Sequence, residues 1–284
     1  MRQTTKEFMD DLRLCIEHGD LIGIEQAINH PKMLYSTLAL AAVARTGDVA
    51  LLEHALEQSL GATIMDLTSV FKNVVQSGEV KTTQYLLEWA QSNNTFDAPN
   101  PYLRTVLMAA VDSDCVEIWR NNAHQVHSIP HGLMKTYYFK AVEQESLRCL
   151  EYFKEHMDTE LLLVQGMDLA VDKLKTASIE YFLQRNKNPS ARAGSIAVQV
   201  CLKHNLSSSK GVVSPEITSV LLMLMDHASP EQMLARYAGV SQSHPLHAVL
   251  DHINTTVRAQ QQSERLNVEL NGVQLKSVSA ARKL

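Results

Sequence analysis

Three imidazoles stand within the stretch His124-Gln125-Val126-His127-Ser128-Ile129-Pro130-His131. Histidine is the commonest protein ligand for zinc and copper, so metal binding is the first chemistry to weigh. A closed tetrahedral site needs four donors, and neither cysteine nor carboxylate stands at ligand spacing inside this stretch. Pro130 and Gly132 read as breakers of a regular element. The segment is therefore expected to be an irregular polar loop that holds no metal. A second group, His244, His247, Asp251 and His252, sits at an expected helix start, with His247 and Asp251 four apart on one face.

Other chemistry is sparser. Asp20, Asp48, Glu79 and Asp114 recur at or beside the turn between paired helices, where a carboxylate caps the positive start of the second helix. There is no P-loop, no G-x-G-x-x-G, no G-x-S-x-G and no H-E-x-x-H. The four cysteines, Cys15, Cys115, Cys149 and Cys201, each lie among apolar residues at helical spacing, the pattern of reduced, buried thiols. The expectation is a protein that is no enzyme and takes no cofactor. A site assembled in space within the C-terminal third is the alternative, because triads do not follow sequence order.

The elements that position these residues follow from a repeated sentence, clearest in residues 38–57, LALAAVARTGDVALLEHALE. A small apolar helix runs to Gly47, and Asp48 opens a second one carrying Leu51, Leu52, Ala55 and Leu56. Neither can bury its apolar face alone, so the two make a hairpin. Aligned on the turn, equivalent slots fall at Gly19, Gly47, Gly78, Asp114, Glu145 and Leu174, at intervals of 28, 31, 36, 31 and 29 residues. Seven before the slot stand Leu12, Leu40, Phe71, Leu107, Tyr138 and Met167. Four before stand Cys15, Val43, Val74, Ala110, Ala141 and Ala170, and three before Ile16, Ala44, Val75, Val111, Val142 and Val171. Five after stand Ile24, Leu52, Thr83, Trp119, Leu150 and Ile179, with Thr83 the polar exception. A period near 30 residues is the mark of stacked repeats, and small residues before the slot let first helices lie close together. Tyr138 and Trp119 fall at core positions, and Tyr137 should point elsewhere on its helix.

Composition agrees. The chain has 284 residues, 45% hydrophobic and 20% charged, with only 11 glycines and 8 prolines, which favours helix over sheet. The net charge of −5 argues against a nucleic-acid partner, which would need a basic stripe. No apolar run reaches the length of a membrane span, and the N-terminal MRQTTKEFMDD lacks the apolar core of a signal peptide. A cytoplasmic protein is expected.

The hairpin pattern resembles the ankyrin repeat across residues 8–255, most closely at Leu40–Leu56 and at His244-Pro245-Leu246-His247-Ala248-Val249-Leu250. The latter is similar to the family's T-P-L-H-x-A-A opening, with histidine in place of threonine. The resemblance implies an all-α solenoid of stacked helix-turn-helix repeats over residues 1–190. Irregular C-terminal repeats and capping helices would follow over 191–267, with a flexible tail over 268–284. It implies a scaffold that binds another protein, and it extends to secreted effectors of intracellular bacteria that act in a host cytosol. A self-associating structural factor is a further alternative. In such an array the loops that join hairpins emerge on one edge, and two are long here, Ser92–Pro101 and Asn121–Gly132. Phe96, Val126 and Ile129 are their apolar residues. The expected docking edge takes Phe96 as an anchor, Val126 and Ile129 beside it, and His124, His127 and His131 at the rim.

Overall fold

The computed structural model describes residues 4–33, 36–58, 67–93, 102–157, 160–204 and 214–228. Phe96, His244, His247, Asp251, His252 and the tail lie outside the described residues. Every regular element among the described residues is helical, as the composition predicts, and none of these helices is long and apolar enough to cross a membrane.

The chain divides into two compact units, Met1–Asp158 and Thr159–Leu284. In the first, α1 (Thr5–His18) packs on α2 (Leu21–Ile28), α3 (Thr37–Ala44) on α4 (Val49–Gln58), and α5 (Thr68–Gln76) on α6 (Val80–Ser92). Next come α7 (Leu103–Asp112) on α8 (Val116–Asn121), a single turn α9 (Ala123–Val126), and α10 (His131–Gln144) on α11 (Leu147–His156). Successive hairpins stack in register. First helices touch in the order α1, α3, α5, α7, α10, and second helices in the order α2, α4, α6, α8, α11. The second unit repeats this with α12 (Glu160–Asp172) on α13 (Thr176–Gln184) and α14 (Pro189–Lys203) on α15 (Pro215–His227), α12 against α14 and α13 against α15.

Backbone conformation supports the alignment made on sequence. The residues with left-handed φ among those described are Gly19, Gly47, Gly78, Asp114, Glu145 and Leu174, the same six turn positions. Each ends a first helix. At five of them the next residue donates its N–H to the carbonyl five residues back, as in Asp20 to Cys15, Cys115 to Ala110 and Lys175 to Ala170. That is the Schellman closure, which turns the chain sharply enough for the second helix to return. Glycine takes this conformation without strain, whereas Asp114, Glu145 and Leu174 carry a Cβ that resists it.

The core follows the same register. All six residues seven before the slot are buried, as are all six that stand five after it. Thr83 is buried too, its hydroxyl donating to the Glu79 carbonyl at 2.7 Å, so the polar exception is satisfied. Cys15 and Ile16 alone among the positions three and four before the slot are half-buried. They lie on α1, which packs on α2 and α3. Tyr137, one step from Tyr138 on the helix, is buried too, because α10 packs against both α7 and α11. Its ring stands edge-on to Trp119 at 4.9 Å.

Candidate functional site

The segment 121–132 is not an irregular loop. Asn122, 1% exposed, donates from its side chain to the Ile118 carbonyl at 2.8 Å and to Gln84 at 3.3 Å, tying the end of α8 to α6. Its own carbonyl accepts from the N–H groups of Gln125 and Val126, which nucleates α9. The chain then enters α10 at His131, with Gly132 inside the first turn rather than breaking it. This helical turn swings Val126 inward to 4% exposure, so Val126 is a core residue and not part of a docking edge. Ile129 is half-buried, and His124, His127 and His131 are exposed. Of the expected edge residues, His124, His127 and His131 are thus exposed, Ile129 is half-buried and Val126 is buried.

An aromatic cluster lies next to this turn. Trp119 is fully buried against Tyr137 and Phe153, with Tyr152 at 6.0 Å. His156 stacks on Tyr152 at 4.2 Å, and the His127 ring stands 6.4 Å from it. Burial pushes the phenols of Tyr137, Tyr138 and Tyr152 above their ordinary range. The indole N–H of Trp119 and the hydroxyls of Tyr137 and Tyr152 have no hydrogen-bond partner among the described residues. No group of three His, Cys, Asp or Glu side chains that could hold a metal occurs among the described residues.

Two of the thiols, Cys115 and Cys149, are poorly suited to nucleophilic work. Cys15, Cys115 and Cys149 are free. Burial raises Cys115 and Cys149, and the Asp114 carboxylate raises Cys149 further. A reactive cysteine needs the opposite shift.

The carboxylates at the turns divide in two. Asp20 accepts from Gly23 N–H at 3.0 Å and Asp48 from Ala50 and Leu51 N–H, each capping its own second helix as expected. Asp114 does not cap α8. Its oxygens accept from Arg148 and Cys149 N–H at 3.3 and 3.0 Å, so it caps α11 of the following hairpin. The left-handed backbone at Asp114 aims the side chain sideways, across the stack. Glu79 makes no cap bond either, and its carboxylate reaches back to the Gly47 turn, where a Cβ would stand 2.5 Å from it. Ser146 extends these rungs by donating to the buried Val111 carbonyl, and Lys140–Asp112 and Arg148–Glu117 pair across the same junctions.

A feature that sequence spacing did not locate is a groove of about 430 Å³ laid across the first helices of three successive hairpins. Met9, Arg13, Ile16 and Glu17 come from α1, Leu38, Ala41 and Ala42 from α3 with Arg45 at its end, and Asn73 from α5 with Ser77 and Glu79 just beyond it. Leu38 is 63% exposed within an otherwise buried apolar helix. The signal for it was present in LALAAVA: α3 is apolar all round, more than one buried face requires.

The comparisons with known proteins return no match: no family model, no curated protein and no solved structure is similar to this chain.

Proposed function

We propose that the chain is an ankyrin-like solenoid of helical hairpins that docks another protein along the groove over α1, α3 and α5. The groove itself carries this reading. It spans three hairpins, its floor is apolar (Met9, Ile16, Leu38, Ala41), and its rim holds both charge signs in Arg13, Arg45, Glu17 and Glu79. An apolar floor with a mixed polar rim is how protein interfaces are built, and stacked repeats supply the rigid frame. Ile129, with His124, His127 and His131, supplies a secondary contact on the same unit. The effector-type role in a host cytosol, implied by the resemblance, belongs to the same proposal.

One observation favours a second reading, self-association. The first hairpin exposes three large apolar residues, Leu14, Leu21 and Ile22, at 51%, 58% and 69%. Size-exclusion chromatography with light scattering, followed by capture from host-type lysate, separates the two. A monomer that retains a stoichiometric foreign protein supports docking. A dimer that dissociates on Ile22→Glu, with no foreign protein held, replaces it with self-association.

A further inference from the structure

Two junctions between hairpins carry an ion pair that starts from the residue two before the turn. In the first unit Asp112, two before Asp114, reaches Lys140 on α10 at 3.4 Å. In the second unit Asp172, two before Leu174, reaches Lys203 on α14 at 2.7 Å. In each case a charge at the end of one first helix is answered by the first helix that follows. The groove over α1, α3 and α5 lies where this exchange fails. Glu17, two before Gly19, lines it beside α3, which has no charged residue. Arg45, two before Gly47, lines it with Asn73 and Ser77 from the α5 side. Both side chains belong to exposed residues, and neither takes part in an ion pair among the described residues. The other charges of the groove are turned elsewhere. Arg13 pairs with Asp10 on its own helix at 3.9 Å, and the Glu79 carboxylate lies against the Gly47 turn.

An unanswered anion and an unanswered cation therefore stand on neighbouring first helices, whose axes pack about 8–10 Å apart. The floor they share is apolar, with Ile16, Ala41 and Leu38. A free amino acid, whose ammonium and carboxylate are one carbon apart, does not span that step, and Glu17 opposes a phosphate-rich partner. An extended chain does span it, because alternate residues recur on one face about every 7 Å. We propose that, on the groove-docking reading above, the occupant is an extended segment of the partner protein. It presents a cation to Glu17, an anion to Arg45 and a large apolar side chain to the floor. The partner thus completes the charge exchange that these hairpins lack, and the order of its charges fixes which way it lies across the stack.

The test is fluorescence anisotropy with the full chain and a labelled, end-blocked peptide carrying lysine, leucine and glutamate at alternate positions. Two control peptides carry lysine at both charged positions or glutamate at both. Saturable binding of the mixed peptide is expected, with each control weaker by about tenfold or more and all binding reduced by raised salt. Glu17→Lys should move the preference to the two-glutamate peptide, and Arg45→Glu should move it to the two-lysine peptide, each at an unchanged melting temperature. No saturable binding of the mixed peptide, controls that bind as tightly, or preferences unmoved in both folded variants overturns the proposal. Leu38→Glu separates that failure from failure of the groove itself. Peptide binding lost on Leu38→Glu, with preferences unmoved by the charge variants, keeps the groove and overturns the charge order. Peptide binding kept on Leu38→Glu overturns both.

Discussion

Asp114 combines a left-handed φ of 50° with a carboxylate that caps α11, so its strain is tolerated in exchange for a junction between hairpins. The turn residues make this testable in both directions. Gly78, with φ 79° and nothing near its missing Cβ, should lose about 1 kcal/mol on Gly78→Ala from backbone strain alone. Glu145→Gly, at φ 58°, should be neutral or stabilising by up to about 1 kcal/mol in the same urea titration. Changes of the same sign would contradict the closure assigned to these turns. Cys149 adds a pH dependence. Its ordinary value of 9.0 is raised in the folded protein, so above pH 9 the unfolded chain gives up a proton that the folded chain keeps. Its contribution to stability is complete below about pH 9 and fades as pH rises past the unfolded value, by up to about 1.4 kcal/mol per pH unit. Cys149→Ser should flatten the loss of stability between about pH 9 and 10.5, and an unchanged slope would contradict the burial of this thiol. All six turn positions were legible in sequence because neighbouring hairpins repeat the same core spacing. The sideways reach of Asp114 and Glu79 was not, since a carboxylate beside a helix start reads as a local cap whichever helix it serves.

Helices whose small residues face one another set the spacing of the stack. Ala110 on α7 and Ala141 on α10 are fully buried, and the two helices are in contact. Ala110→Leu or Ala141→Leu should overpack that layer and destabilise by about 1–3 kcal/mol, read from chemical denaturation. Tolerance of both would mean that the helices are not held at this separation. The turn α9 shows where element reading fails. Pro130, Gly132 and three histidines look like loop residues, yet Asn122 supplies the local hydrogen bonds that make a helical turn, and helical geometry then buries Val126. The buried Asn122 side chain anchors the start of this turn to α8 and α6, and its backbone carbonyl accepts the first bonds of α9. Val126→Ala should therefore lower stability by about 1–3 kcal/mol, whereas Ile129→Ala, half-buried, should lower it less and weaken partner binding if the edge is used. A Val126→Ala protein with unchanged melting and reduced binding would restore the loop reading.

Within each unit, stability comes from neighbour on neighbour, and in the first unit the polar rungs from turn to turn keep successive hairpins in step. The hairpin fold could be read from sequence because periodicity survives even where the glycine does not. The groove could not, since it depends on which side of α3 is left uncovered once α1 and α5 have packed against it, and spacing alone does not say so. Leu38 records that choice: an apolar side chain mostly in water, lining a groove that also holds charged residues. The direct measurement is the affinity of the captured partner for the full chain and for Leu38→Glu, each with the same melting temperature. The docking account predicts a loss of about tenfold or more for Leu38→Glu, with Arg45→Glu shifting affinity and its salt dependence in step. Unchanged affinity in both folded variants would contradict it and move the docking surface off the first helices.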